Sequence, residues 1–184
     1  MGCENMRLFT AITLDEEIKD YLSKIIEELT YYSTSGNFTR RENLHLTLNF
    51  IGETDRPDAA MKAMKEAILK ANVPPFQLLL GGLGRFKRRE GDLYWVGVAK
   101  ESSLWYLQQE VAKSLREAGF PIEDREFKPH LTLGRKVTVG KNFQIMSIEK
   151  SILPKTMEVS RIHLMKSERI QGKLTYTEIY HLDL

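Results

Sequence analysis

His45-Leu46-Thr47-Leu48 recurs as His130-Leu131-Thr132-Leu133 in a chain of 184 residues. At ordinary Leu and Thr usage, a second His with the same three followers arises by chance roughly once in a thousand. The repeat therefore asks for a physical reason. In a β-strand side chains alternate between faces, so residues i and i+2 point the same way. His45 and Thr47 then share one face while Leu46 and Leu48 take the other, and the second copy behaves alike. Each copy presents an imidazole beside a hydroxyl, with two leucines anchored in a core. Two such strands facing one another gather two histidines and two hydroxyls around one cleft.

Working outward, both copies close the same order of elements. Arg7 to Ile12 reads as a buried strand. Asp15 caps a helix with Glu16 and Glu17 in its first turn, and Ile18, Leu22, Ile25, Ile26 and Leu29 line one face. Ser33 to Asn37 reads as a loop, and Asn43 to Ile51 as the first His strand. Thr54, Asp55 and Pro57 open a second helix that turns Met61, Met64, Ile68 and Ala71 inward. Phe76 to Leu83 is a strand with a bulge or close backbone approach at Gly81-Gly82, and Glu90-Gly91-Asp92 is the hairpin tip before Leu93 to Val98. Ser102 or Ser103 caps a third helix striped by Leu104, Leu107, Val111, Leu115 and Ala118, which Gly119 and Pro121 end. Phe127 to Arg135 is the second His strand. Three further strands are expected over Ile145 to Leu153, Glu158 to Lys166 and Leu174 to Leu182, the last after a turn at Gln171-Gly172-Lys173. Strand, helix, His strand thus occurs twice. Two lobes related by a pseudo-twofold axis bring the motifs face to face.

Composition sets bounds on the rest. The length suits one two-lobed domain over residues 1–184, with residues 1–5 as a short extension. The net charge is only +2, so any nucleic-acid contact comes from local basic patches. No apolar run approaches the roughly 20 residues that span a bilayer, and no stretch reads as a signal peptide. Met1-Gly2-Cys3 resembles a lipidation start, but Met6 stands where the myristoylation signal wants Ser or Thr. The single Cys3 cannot form an internal disulfide, which fits a reducing cytoplasm.

An imidazole titrates near 6.5, so around neutral pH one His can accept a proton while its partner donates one. Thr hydroxyls add donors where charge builds on a reacting group. A phosphodiester suits this set, since in-line attack needs base and acid on opposite sides. No Ser or Cys nucleophile accompanies either His. A catalytic zinc normally takes a third protein ligand, and neither motif has an Asp, Glu or Cys at ligand spacing, so no metal or cofactor is expected. His163 and His181 stand outside the motif and read as structural or surface residues.

At these residues the chain resembles the two-histidine phosphoesterase superfamily, and within it the bacterial and archaeal RNA 2′,3′-cyclic phosphodiesterases, originally named 2′-5′ RNA ligases. The likeness runs through residues 6–12, Glu42 to Glu53, Leu80 to Gly84, Tyr94 to Val98 and Phe127 to Arg135. It implies a bilobal α+β fold in which two pseudo-symmetric antiparallel sheets, with helices packed outside, line a positively charged central cleft. It also implies metal-independent hydrolysis of RNA 2′,3′-cyclic phosphate ends, tRNA fragments among them, to 2′-phosphates by a monomer. In that scheme His130 is the base, His45 the acid, and Thr47 and Thr132 bind phosphate oxygens. The reverse reaction, 2′-5′ joining, is secondary to hydrolysis.

Four further points stay open in the sequence. Arg135 matches a frequent Arg of the family, yet strict alternation puts it opposite His130, so a phosphate role needs a bend that Gly134 permits. Asn49 shares the His45 face on the same count, where the family often carries Arg. Arg85, Phe86, Lys87 and Arg88 suit an RNA backbone and a stacked base, against the plain reading of a charged hairpin edge. Of Tyr94 and Trp95, one belongs to the core and the other faces the cleft. The rival functions are a phosphodiesterase of small cyclic nucleotides and a non-catalytic nucleotide- or RNA-binding module.

Overall fold

Leu46 and Leu48 of one His strand, and Leu131 and Leu133 of the other, are all buried, and the strands they anchor belong to two different sheets. The computed structural model describes residues 5–184. Met1-Gly2-Cys3, and with it the lipidation reading and nearly all of the expected extension, lies outside the described residues.

In chain order the elements are β1 (Met6–Thr13), α1 (Glu16–Tyr31), β2 (Ser33–Phe38), β3 (His45–Thr54), α2 (Pro57–Ala71), β4 (Phe76–Phe86), β5 (Asp92–Val98), α3 (Ser102–Glu117), β6 (His130–Val139), α4 (Ile145–Glu149), β7 (Lys155–Val159), β8 (Arg161–Ile170) and β9 (Lys173–Asp183). A 3-10 turn over Arg41–Asn43 leads into β3. The first sheet has the order β3-β1-β8-β9 and the second β2-β6-β5-β4-β7, every neighbour antiparallel. With β2 set aside the two orders match: each His strand lies beside the strand that opens its own unit. The fold is the α+β arrangement of two antiparallel sheets that the repeat suggested.

The helices cross between the sheets. α1 follows β1 of the first sheet but packs on β2, β6 and α4 of the second; α3 follows β5 of the second sheet but packs on α2 and β3 of the first. One buried cluster runs through both, from Leu8, Leu22 and Leu46 to Tyr94, Leu107 and Leu131. On its other face the first sheet carries a small second cluster, Phe9, Ala11 and Met165, with Tyr176 against it. Among the described residues no helix is long and apolar enough to cross a membrane.

Local chemistry explains most boundaries. The Asp15 carboxylate accepts from the Ile18 amide at 2.8 Å, and the five apolar residues expected inside α1 are its buried ones. In α2 the buried stripe is mostly alanine (Ala60, Ala63, Ala67, Ala71, with Met64), which lets it lie close on α3; Met61 and Ile68 are only half-buried. The last hairpin turns on Gln171 and Gly172, both at positive φ, as a two-residue turn of this kind requires.

Other expectations are corrected. Residues 33–37 are not a loop: they belong to β2, which takes the edge beside β6. Glu101, rather than Ser102 or Ser103, caps α3, its carboxylate accepting from the Ser103 amide at 3.0 Å. Ile145 to Leu153 is not a strand, because Ile145 and Ile148 pair at helical spacing in the short α4. The strand expected from Glu158 to Lys166 is two, since the chain leaves the second sheet after Val159 and enters the first at Arg161. The second His strand begins at His130, and residues 120–129 have no regular structure.

Gly84 stands opposite Trp95 on the neighbouring strand, and the indole lies over it: a Cβ there would come within 2.1 Å of the Trp95 ring. Gly84→Ala is expected to lower stability by about 1–3 kcal/mol in urea unfolding, as overpacking does. An unchanged midpoint would show that Trp95 does not rest on this glycine.

Candidate active site

Each His strand breaks its register twice, and the first break after the His falls at the same place in both. Thr10 and Ala11 of β1 pair with Asn49 and Thr47, leaving Leu48 without a partner; Tyr94 and Trp95 of β5 pair with Gly134 and Thr132, leaving Leu133 without one. The motif's last leucine is thus a bulged residue in both copies. The exposure pattern is identical from His45 to Phe50 and from His130 to Arg135: half-buried His and Thr, three buried positions, then an exposed one. The bend that Arg135 needed is therefore present, and Arg135 lines the cleft beside His130 and Thr132. The same bulge corrects the placing of Asn49. It is 4% exposed and exchanges hydrogen bonds with Gln108 of α3 at the back of the cleft wall, and Phe50 is the exposed residue beside it.

The imidazoles are held alike. His45 Nδ1 lies 2.7 Å from the Asn43 carbonyl oxygen and His130 Nδ1 lies 2.7 Å from that of Lys128, in each case two residues earlier. A carbonyl only accepts, so Nδ1 carries the proton and Nε2 is the nitrogen left for chemistry. His45 Nε2 meets the Thr47 hydroxyl at 2.9 Å. Phe9 and Tyr176 flank the His45 ring, each centroid 5.0 Å away, and Phe86 and Trp95 flank His130 at 5.5 and 6.2 Å.

Two cavities of about 420 and 590 Å³ meet here, sharing Thr47, Phe50, Glu123 and Arg135 in their walls. One reaches His130 and Thr132, the other His45 and Tyr176, so they are two arms of one cleft. Burial, foremost, holds both imidazoles below their ordinary range; the carbonyl bonds oppose it, and the Arg135 charge pushes the same way as burial. Charge on His130 also disfavours protonation of His45, and Arg125 disfavours that of His130. Among the described residues no carboxylate pairs with Arg135. An anion entering the cleft would meet this uncompensated guanidinium and would favour protonated imidazole.

The basic stretch divides. Phe86 and Arg88 line the cleft, whereas Arg85 pairs with Asp92 at 3.3 Å in the hairpin and Lys87 lies in neither arm. Tyr94 is the core residue of its pair and Trp95 the one beside His130. His163 and His181 both bond Glu178 through Nδ1 at 2.7 Å and line neither arm. No group of three or more His, Cys, Asp or Glu that can hold a metal gathers among the described residues.

Four contributors escaped the sequence reading. Phe50 hid behind the bulge. Arg125 lies in residues 120–129, where no periodicity exists to place it. Tyr176 comes from β9, far along the chain. Asn43, 5% exposed, ties that strand down: its amide donates to the Leu174 carbonyl at 2.9 Å and accepts from the Tyr176 amide at 3.2 Å, while its carbonyl fixes His45. The Asn just before the motif was the one available signal.

Comparison with known proteins agrees with this geometry. Curated relatives include the RNA 2′,3′-cyclic phosphodiesterases of Thermotoga maritima, 36% identical with 71% of this chain and 70% of that protein covered, and of Archaeoglobus fulgidus, 32% identical with 88% and 91% covered. Among solved structures, Escherichia coli LigT complexed with 3′-AMP superposes with a TM-score of 0.76 at 26% identity, covering 98% of this chain and 99% of that one. A Thermus thermophilus protein at 23% identity shares the fold, with a TM-score of 0.79 and coverage of 97% and 98%. Residues 17–171 match the sequence profile of the 2′-5′ RNA ligase superfamily, and the chain belongs to that family.

Proposed function

We propose that this chain hydrolyses RNA 2′,3′-cyclic phosphate ends to 2′-phosphates, with two imidazoles as acid and base and no metal. The observation that carries the proposal is the matched pair of histidines, each with Nδ1 bound to a carbonyl two residues earlier and both lining one cleft, with Arg135 alongside. The relatives' names supply the RNA end; tRNA fragments are one source of such ends.

His130 is the more exposed imidazole, which suits the group that meets water. Its Nε2 takes a proton as the water oxygen attacks phosphorus. The bond to the 3′ oxygen breaks on the opposite side, and protonated His45 gives its Nε2 proton to that oxygen. Thr47, Thr132 and Arg135 hold the phosphate oxygens, whose charge grows during attack. Arg88 and Phe86 extend the binding wall along the second sheet, with Arg85 and Lys87 adding positive charge behind it. With an RNA 5′-hydroxyl in place of water as the attacking group, the same step breaks the bond to the 3′ oxygen and forms a 2′-5′ bond. Water is the commoner nucleophile, so joining is a side activity.

His45→Ala and His130→Ala are each expected to lower kcat on a cyclic-phosphate RNA end by about 10²–10⁴-fold, while EDTA leaves the wild-type rate unchanged. Full activity in either variant, or loss of turnover in chelator, contradicts the mechanism. With both imidazoles held low in the free protein, kcat/KM should follow a bell centred below about pH 6.5. In kcat the alkaline limb moves upward, because bound phosphate stabilises the imidazolium. Arg135→Gln removes a cation that resists protonation, so its kcat/KM bell moves to higher pH as its rate falls. A bell that stays in place would show that Arg135 does not act on either His.

A further inference from the structure

A further cavity, of about 520 Å³, opens beside His130. Phe86, Trp95, Trp105, Phe127 and Pro129 line it, so both tryptophans of the chain meet there. It shares Phe86 and His130 with the arm of the cleft that holds Thr132 and Arg135, but neither of those two residues lines it. His130 therefore stands between the phosphate-binding donors and an aromatic chamber. The four rings are all half-buried, so each keeps part of its surface open instead of filling the core. Trp105 of α3 meets Phe127 edge to face, their centroids 5.4 Å apart, and Phe86 leans on Trp95 at 5.3 Å. Lys100, exposed, puts positive charge at the rim.

Hydrolysis makes no use of this chamber. The phosphate meets Thr47, Thr132 and Arg135, and water reaches phosphorus without a seat of its own. An in-line step does require an attacking hydroxyl on the side of the base, and an alcohol, unlike water, must be held there. Open aromatic faces beside a cation are the surfaces on which proteins hold an unstacked base. The volume falls within the roughly 300–1,000 Å³ of small-ligand pockets.

We infer that the chamber seats the nucleoside of an RNA 5′-hydroxyl end, giving this chain an acceptor site for joining, separate from the phosphate site; the inference rests on the phosphodiesterase reading above. The 5′-hydroxyl gives its proton to His130 Nε2 as its oxygen bonds to phosphorus. The bond from phosphorus to the 3′ oxygen breaks, and that oxygen takes the proton of His45. A 2′-5′ phosphodiester and a free 3′-hydroxyl result. One phosphate ester bond replaces another, so no further reactant is consumed. Positioned groups reach effective molarities of about 10⁵ M or more, which lets a dilute alcohol compete with bulk water once the seat is filled.

The test supplies an RNA that ends in a 2′,3′-cyclic phosphate with one of two acceptors: the trinucleotide ApApA, or glycerol, which offers a primary hydroxyl and no base. The ratio of joined product to 2′-phosphate is read against acceptor concentration. With ApApA the ratio is expected to saturate and to exceed that with glycerol by tenfold or more. Trp105→Ala cuts it about tenfold, the worth of one stacked base, while hydrolysis without acceptor is unchanged and reports that the variant is folded. Trp105→Phe restores it. Lys100→Glu, at an exposed position, lowers it in the same direction by repelling the acceptor's phosphates. An unchanged ratio in both Trp105→Ala and Lys100→Glu overturns the inference. So does a higher KM for the cyclic-phosphate end in Trp105→Ala with no acceptor present, which would seat that end's own base in the chamber. Equal, unsaturated joining to ApApA and glycerol overturns the acceptor site and leaves the phosphodiesterase standing. No turnover of the RNA end by the wild type removes both.

Discussion

The site depends on strand alternation interrupted directly after each motif's threonine. Without a bulge, His, Thr and the fourth residue after the His would share the cleft face, and the buried row would hold Leu46, Leu48 and Phe50. One unpaired leucine per strand changes that phase. It buries position 49 or 134 and swings position 50 or 135 into the cleft. The leucine is held because its side chain is in the core, where Leu48 and Leu133 are both buried. Apolar packing therefore positions the polar chemistry, and the energy that aims Arg135 comes from the leucine two residues before it.

A second layer of order fixes the imidazoles. The carbonyls of Asn43 and Lys128 play equivalent parts, but the residues that supply them differ. Asn43 is buried and also binds the backbone of β9, which carries Tyr176 over the His45 ring. Lys128 belongs to an irregular exposed stretch and has no such tie. The His45 half is thus braced by three elements, and the His130 half is more open to solvent. On the mechanism proposed above, the acid and base roles fall on sites of unlike rigidity, water reaching one and a ribose oxygen the other.

The repeated tetrapeptide, the capped helix after Asp15 and the leucine stripe of α3 were all legible in the chain, because each is a local pattern with one physical solution. What was hidden depends on partners distant in sequence. A bulge exists only relative to the opposite strand, so nothing near Leu48 announces it. Residues 33–37 are polar and glycine-bearing, and they become a strand because β6 offers them an edge. The run around Ser160 is β-prone on both sides, with no sign that the chain changes sheets there. Ile145 to Leu153 is too short an apolar stretch for its period to be settled. Arg125 has no pattern at all, and only the folded course of residues 120–129 brings it to Phe50.

The crossed helices bear on how the molecule comes apart. Because α1 covers the sheet it did not arise from, and α3 does likewise, unfolding either sheet strips the cover from the other. Neither sheet can be lost alone without exposing the leucines of its neighbour. Denaturation should then be one cooperative event, and the two histidines lose their mutual geometry only when the whole core opens. The exchange also lengthens the chain loops that must close before either core is complete, which is the signature of a slow folder.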